Sequence, residues 1–315
     1  MTKTFPNDIQ NVDVVVLGAG PAGVAAAKAA SQEGAKVIII DENSSAGGQI
    51  YRAPPNEFQP HNSFKSPEFQ EGEKQRKILS NSNVKALFNH RVWSISSDLV
   101  ISTIGPNGLG SLHPQSIIIA NGALERIIPF PGWTLPGVIG LAASTILLKS
   151  QFVIPGQSTV VAGCGPLLIA VAYGIIKSGG KVSAIIDLNG QLDWMKVFPK
   201  LLSRPDQLLK GMNWFATIKK AGVKQYNRYT VTNARQVGNI LRISIAPINS
   251  VGLILGSKKQ KFVEGECLTI GHGLFPSTEI TRLLNAKHIF DTLKGGWVPV
   301  IDNYFRSSMP GVYIA

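Results

Sequence analysis

Cysteine is nearly absent from this sequence: there are two in 315 residues, Cys164 and Cys267. Two cannot make a disulfide framework or a thiolate metal site from this chain alone. They form no Cys-x-x-Cys pair, which excludes a dithiol relay. Acidic residues are also scarce, 19 against 31 lysines and arginines, giving a formal charge of +12. The basic residues are dispersed rather than gathered into a stripe with aromatics, so nucleic acid is not an expected partner. The excess reads as a solvated surface or as a face for an acidic partner subunit. Long hydrophobic runs are missing too. The longest, 160–176, is broken by glycines and a proline, so no membrane span is expected. The opening MTKTFPNDIQN shows no signal-peptide pattern, and a cytoplasmic location is expected. What the chain does have is 32 glycines, 19 prolines and 44% hydrophobic residues. That composition suits a loop-rich α/β protein with a large core, and the length suits two domains.

The most informative stretch runs from Val12 to Asp41, VDVVVLGAGPAGVAAAKAASQEGAKVIIID. A short apolar, β-branched run reads as a buried parallel strand. It enters G-x-G-x-x-G at Gly18, Gly20 and Gly23. The first glycine permits the tight turn, the second lets a pyrophosphate approach the backbone, and the third lets the helix pack closely on the strand. The helix beginning at Pro21 points its free N–H groups at the phosphates. A second strand, 37–40, ends in Asp41, placed to hydrogen-bond a ribose hydroxyl. Strand, turn, helix, strand and acid together make a dinucleotide site.

The pattern repeats from Ser158: STVVAGCGPLLIAVAYGIIKSGGKVSAIID. Gly163, Gly165 and Asp187 match Gly18, Gly20 and Asp41, but Leu168 stands at the third glycine. Two readings stay open here, a site for NAD or an adenine nucleotide and a retained scaffold without ligand. Asp187 favours a free ribose hydroxyl over a 2′-phosphate, hence NAD over NADP. Between the two units, 43–74 reads as loop, 84–104 as a small antiparallel element, and Pro129–Pro136 as a rigid crossover. Residues 188–220 read as an amphipathic helical stretch with Trp194, Phe198, Leu201, Leu208 and Trp214 as packing anchors. Residues 265–273 and 311–315 read as further strands, the last in the middle of the first sheet. The expected fold is α/β with two Rossmann-like dinucleotide-binding domains, the second inserted in the first: 1–135 with 265–315, and 136–264. No Ser-His-Asp or Cys-His pair can be assembled from the sequence, and both cysteines read as structural. Hard chemistry is then left to a cofactor.

The segments VVLGAGPAG, IDENSSAGGQIYR, IIIANGALERIIPFPGWTLPGV, VVAGCGPLLIAVA, GHGLFPSTEITRLL and GGWVPVIDNYFRSSMPGVYIA carry a resemblance across nearly the whole chain. The chain resembles FAD-dependent flavoproteins of the pyridine-nucleotide oxidoreductase type. More narrowly it is similar to the A-type component of opine oxidases and the B-type component of hydrogen cyanide synthase. The resemblance implies FAD in the first domain. Gly18, Gly20, Pro21, Ala22 and Gly23 would hold the pyrophosphate, and Asp41 with Glu42 the adenosine ribose. Gly48 and Gln49 would lie along the cofactor, and Asn121 and Gly122 stand where the family carries Thr-Gly. His272, in a GHG turn, is a candidate flavin contact or a packing histidine. The resemblance also implies a second flavoprotein subunit that oxidises a small amine or amino acid, this subunit taking part in electron transfer. In the family the strand matching GVYIA continues into Gly-Asp and a helix that face the flavin. The sequence ends at Ala315, before them, so weakened flavin binding is expected, with a catalytically inactive scaffold or docking subunit as the alternative.

Overall fold

The computed structural model describes residues 10–55, 67–80, 83–190, 193, 205–256 and 260–315. It is a mixed α/β chain that divides into two compact units, Met1–Leu124 with Phe275–Ala315, and Glu125–Leu274.

The first unit opens with β1 (Gln10–Leu17), α1 (Pro21–Gln32) and β2 (Val37–Ile40). These are followed by α2 (Pro67–Ser80), β3 (Val84–Leu87), β4 (Arg91–Ile95), β5 (Ile101–Gly105) and β6 (Gly108–Ile119). The apolar runs do not alternate in polarity because both faces of the sheet are covered. In β2, Val37 and Ile39 point to the face packed by Val24 and Ala27 of α1. Ile38 and Ile40 point to the opposite core with Ile101, Leu112 and Ile117. Strand β1 lies between β2 and β6, parallel to both. Strands β4, β5 and the first half of β6 form an antiparallel meander. The expected antiparallel element is therefore only partly so, since β3 pairs parallel with β2. The expected loop 43–74 also ends early. Residues from Pro67 are helical, with Glu68 in the first turn and Lys77 in the last complementing the helix dipole.

After β7 (Ala123–Glu125) the chain builds the second unit. Its elements are β8 (Val138–Gly140), α3 (Leu141–Ile146, continued by a π-helical turn, Leu147–Gln151), β9 (Ser158–Gly163), α4 (Pro166–Lys177) and β10 (Lys181–Asp187). Next come α5 (Pro205–Lys220), β11 (Lys224–Asn227), β12 (Tyr229–Val237), β13 (Ile240–Pro247), β14 (Lys261–Gly265) and β15 (Cys267–Gly271). The parallel sheet runs β11-β10-β9-β15-β8. One face packs on α3, α4 and α5 through Leu141, Leu168, Ile175 and Ile218. The other packs on the antiparallel β12-β13-β14 through Leu241, Ile243 and Ile245. Of the expected anchors, Trp214 packs beside the helical core, whereas Trp194, Phe198 and Leu201 lie outside the described residues.

The boundaries expected at 135/136 and 264/265 both fall inside this second unit. Phe130 and Leu135 pack into its core, the Ala234 amide donates to the Pro131 carbonyl at 2.9 Å, and β15 pairs in its sheet with β9 and β8. The chain then returns through β16 (Leu274–Pro276), α6 (Glu279–Leu283), β17 (His288–Asp291), β18 (Gly296–Pro299) and β19 (Val312–Ile314). Strand β19 completes the first sheet by pairing with β6, Val312 opposite Ile117 and Ile314 opposite Ile119. It does not lie in the middle of that sheet, because β6 is its only ladder partner among the described residues. Its other edge is covered by the chain's own 305–307: Arg306 bridges Tyr313, Ser307 N–H donates to Val312 and Ile314 N–H to Phe305.

Candidate functional site

The turn after β1 is shaped by three glycines with three different requirements. Gly18 has φ +100°, and a Cβ there would stand 2.5 Å from the Ala120 carbonyl oxygen. A Cβ on Gly23 would run into the Gly18 carbonyl oxygen. Both are demanded by the backbone. Gly20 differs: its φ is −71°, and a Cβ would meet nothing closer than the Gly48 Cα at 3.9 Å. It is the N-cap of α1, with Pro21 following, no side-chain cap and no acid in the first turn. The positive end of this helix is thus left without a protein counter-charge in its first turn, beside a position where side-chain bulk is absent. That combination fits a phosphate.

Two loops support the turn. Gly47 donates its N–H to the Ala19 carbonyl at 2.9 Å, and a Cβ on Gly48 would come within 2.8 Å of the Gly20 Cα. The GGQ segment is therefore pressed backbone to backbone against the glycine turn. Asp41 is buried, and both its oxygens are engaged. Oδ2 accepts from the Ala19 N–H at 2.6 Å, and Oδ1 accepts from the backbone and side-chain amides of Asn43 at 2.8 and 2.7 Å. Glu42 is instead exposed and makes an ion pair with Arg91 at 3.2 Å. Asn121 and Gly122, just beyond β6, are exposed as well.

Arg52 was not singled out by sequence reasoning. It donates to Asn43 Oδ1 at 2.9 Å and to Gln49 Oε1 at 3.0 Å, tying the acid loop to the GGQ loop. Its Nε is buried without a hydrogen-bond partner. Burial lowers the guanidinium pKa against the opposing charges of Asp41 and Glu42. Asn43 did leave a signal, since Asp-x-Asn recurs at Asp187 and Asn189 with the same bonds, 2.8 and 3.0 Å.

The second turn is wound differently. Gly163 has φ +132°, and a Cβ there would run into the Gly271 carbonyl. Gly165, the N-cap of α4, has φ +82°, which Gly20 does not share. Leu168 is fully buried in the helical core, so the third position is a packing residue. Asp187 is buried, while the Cys164 N–H, equivalent to that of Ala19, donates to the Gly271 carbonyl at 3.2 Å. His272 follows directly, and burial lowers its pKa, which keeps it neutral near pH 7.

Glu125 was also missed. It lies at the carboxyl ends of β8 and β15, where both its oxygens accept the Ala142 N–H, at 3.2 and 3.1 Å. Burial pushes its carboxyl up, opposed by the amides of Ala142 and Leu141. The distant residues it meets in the fold left no local pattern from which to find it.

Burial disfavours the reactive thiolate at both cysteines. Burial raises Cys164, with Asp187 adding to the rise and Arg126 opposing it, and Cys267 is pushed up to about 12. At pH 8 the thiolate fraction of Cys267 is on the order of one in ten thousand. A disulfide reagent is expected to label only Cys164 in the folded protein, slowly, and both thiols after denaturation; rapid native labelling of both would refute the burial. Among the described residues no group of three or more His, Cys, Asp or Glu could hold a metal, and no helix is long and apolar enough to cross a membrane.

The chain is 28% identical over 316 residues to the A-type component of opine oxidase from Agrobacterium tumefaciens, covering 96% of this chain and 60% of the relative. It is 27% identical over 317 residues to the HcnB component of hydrogen cyanide synthase from Pseudomonas protegens, covering 97% and 65%. It spans about three fifths of the length of these curated relatives. Among solved structures, thioredoxin reductase of T. acidophilum superposes with a TM-score of 0.67 at 22% identity, covering 97% of this chain and 90% of that one, a likeness of fold. Residues 12–315 match a single family throughout, and the chain belongs to the pyridine nucleotide-disulphide oxidoreductases.

Proposed function

We propose that this chain is the FAD-binding part of an oxidoreductase subunit, acting with a second flavoprotein subunit in oxidation of a C–N bond of a small amine or amino acid of the opine type. The observation that carries the reading is the first glycine turn: an N-terminal helix end with no acid or side-chain cap of its own, roofed by a glycine whose missing Cβ is not required by the fold. Gly18 and Gly23 set the turn. Gly20, Pro21, Ala22 and the helix amides hold the pyrophosphate. The ribose falls to Glu42, because the oxygens of Asp41 already hold the turn. Gly48, Gln49, Asn121 and Gly122 form the flavin side. When bound, FAD supplies the electron-accepting chemistry. The protein orients it, and burial disfavours the thiolate at both cysteines. The names of the relatives, each a subunit, support a hetero-oligomer. The charge of +12 suits an acidic partner face. The relatives extend well beyond this stretch, so substrate and turnover belong to the assembly.

The test is Gly20→Val. Its Cβ is tolerated while its methyl groups fill the space above the helix amides. A loss of at least about tenfold in FAD affinity, about 1.4 kcal/mol, is expected by fluorescence titration, with the melting temperature little changed. Undiminished FAD binding, or tighter binding of NAD than FAD by the unaltered chain, would overturn the assignment. A chain that binds its flavoprotein partner but never FAD would favour the docking-subunit reading instead.

A further inference from the structure

In the second unit the chain leaves β9 towards β10 on one side, while β15 and then β8 lie on the other. The crevice outside the carboxyl ends of β9 and β15 is thus the topological switch point, where open α/β sheets take nucleotides. The residues at this crevice are Gly163 and Gly271, paired across the ladder and in backbone contact. Gly140 ends the neighbouring strand β8.

The carboxylate of Glu125 lies beside this crevice, over the carboxyl ends of β15 and β8. A Cβ on Gly271 would collide with Glu125 Oε1, and one on Gly140 would collide with Oε2. The two glycines at the strand ends therefore make room for a carboxylate of the protein itself. Helix α3 starts here with no side-chain cap of its own and no acid in its first turn. Both oxygens of Glu125 accept its Ala142 N–H. What the open end of α1 leaves free for a ligand phosphate in the first unit, Glu125 takes up at α3 in the second.

We propose that Glu125 is a specificity-determining residue that closes the second unit to nicotinamide dinucleotides. Strand β15, over whose end this carboxylate lies, is one strand spacing, about 4.8 Å, from the glycine turn at Gly163. A dinucleotide reaching from that turn across the switch point would bring its pyrophosphate beside a fixed negative charge and its nicotinamide half into the space the carboxylate fills. A single negative charge about 8 Å from a phosphate, at an effective dielectric of about 20, weakens binding by roughly thirtyfold. Leu168 and Asp187 are untouched by this argument, and so is the first unit; the inference stands whether or not that unit holds FAD.

The test is titration of the full chain with NADH and with NADPH, followed by nicotinamide fluorescence, with FAD at saturation and again in the Gly20→Val background so that the first turn is not read. Glu125→Gln keeps an acceptor for the Ala142 amide and removes the charge; Glu125→Ala removes the bulk as well. Arg126, whose positive charge reaches Cys164 at the same turn, stays in every variant. The unaltered chain is expected to bind either nucleotide no tighter than about 1 mM. Glu125→Gln should gain roughly thirtyfold, and Glu125→Ala at least as much. A dissociation constant below about 10 μM for the unaltered chain overturns the proposal without recourse to any variant. So does a folded Glu125→Gln or Glu125→Ala protein, judged by an unchanged melting curve, that binds no better than the original.

Discussion

Gly23→Ala is expected to leave the chain without a folded first unit. The added Cβ would run into the Gly18 carbonyl oxygen, which cannot retreat because Gly18 is fixed in turn by the Ala120 carbonyl and by its N–H bond of 2.8 Å to Ile40. Relief requires α1 to move off the sheet, opening the core around Val16, Val24 and Ala27. A cost of about 4 kcal/mol or more is expected, at the far end of the range for a single substitution. Urea unfolding followed by intrinsic fluorescence, with limited proteolysis to assign the lost unit, measures it. Gly20→Ala is the control. Its backbone is in an ordinary region with room for a methyl group, and its stability should stay within about 0.5 kcal/mol. If Gly23→Ala melts like the original chain, the close approach of helix and strand is wrong.

Asp41→Ala is expected to cost about 3 kcal/mol of stability, and the neighbouring Glu42→Gln almost none. Removing the Asp41 carboxylate strands the Ala19 N–H in a fully buried position and releases both amides of Asn43. Orphaning buried donors that had a charged acceptor has a penalty of this size. Glu42 loses only an exposed ion pair with Arg91, worth no more than about 0.5 kcal/mol. The two changes should part in the other direction for ligand binding per folded molecule: Glu42→Gln weakens FAD by about tenfold, through the lost negative charge on the ribose acceptor. Thermal melts and FAD titrations on both variants decide it. A stable Asp41→Ala protein with impaired FAD binding would return the ribose to Asp41.

Adjacent acids in opposite surroundings, Asp41 buried and bonded and Glu42 exposed, show where reading a sequence stops. An acid at the end of β2 looks the same whether it accepts from a ribose or from Ala19, because the amide it meets is brought there by the fold. The glycine turns were legible, since Gly18, Gly23 and Gly163 answer to backbone collisions within a short stretch or across a regular ladder. The two-faced burial of β1, β2, β9 and β10 was legible in their unbroken apolar runs. Strand partnership was not. A fully buried strand such as β15 carries no mark of which sheet it joins, and the register that pairs Leu268 with Val160 is settled by the core it completes. The helix α2 escaped notice because its apolar residues are sparse and it follows a proline-rich stretch. Glu125 escaped because Gly140 and Gly271, which admit it, lie far away along the chain.

The inserted arrangement also bears on how the chain reaches its native state. Strand β19 must find β6 across nearly two hundred residues, Val312 beside Ile117. Contacts so distant in sequence slow folding, because closure entropy is spent before the contact rewards it. The intervening second unit is itself compact, and once folded it acts as a short tether in place of a long coil. During synthesis β6, already paired with β1 on one edge, waits with its other edge open along 117–119 until the second unit has been made. A lesion confined to the second unit, such as Gly163→Ala, is therefore expected to appear kinetically in the first, as a delayed final phase of refolding.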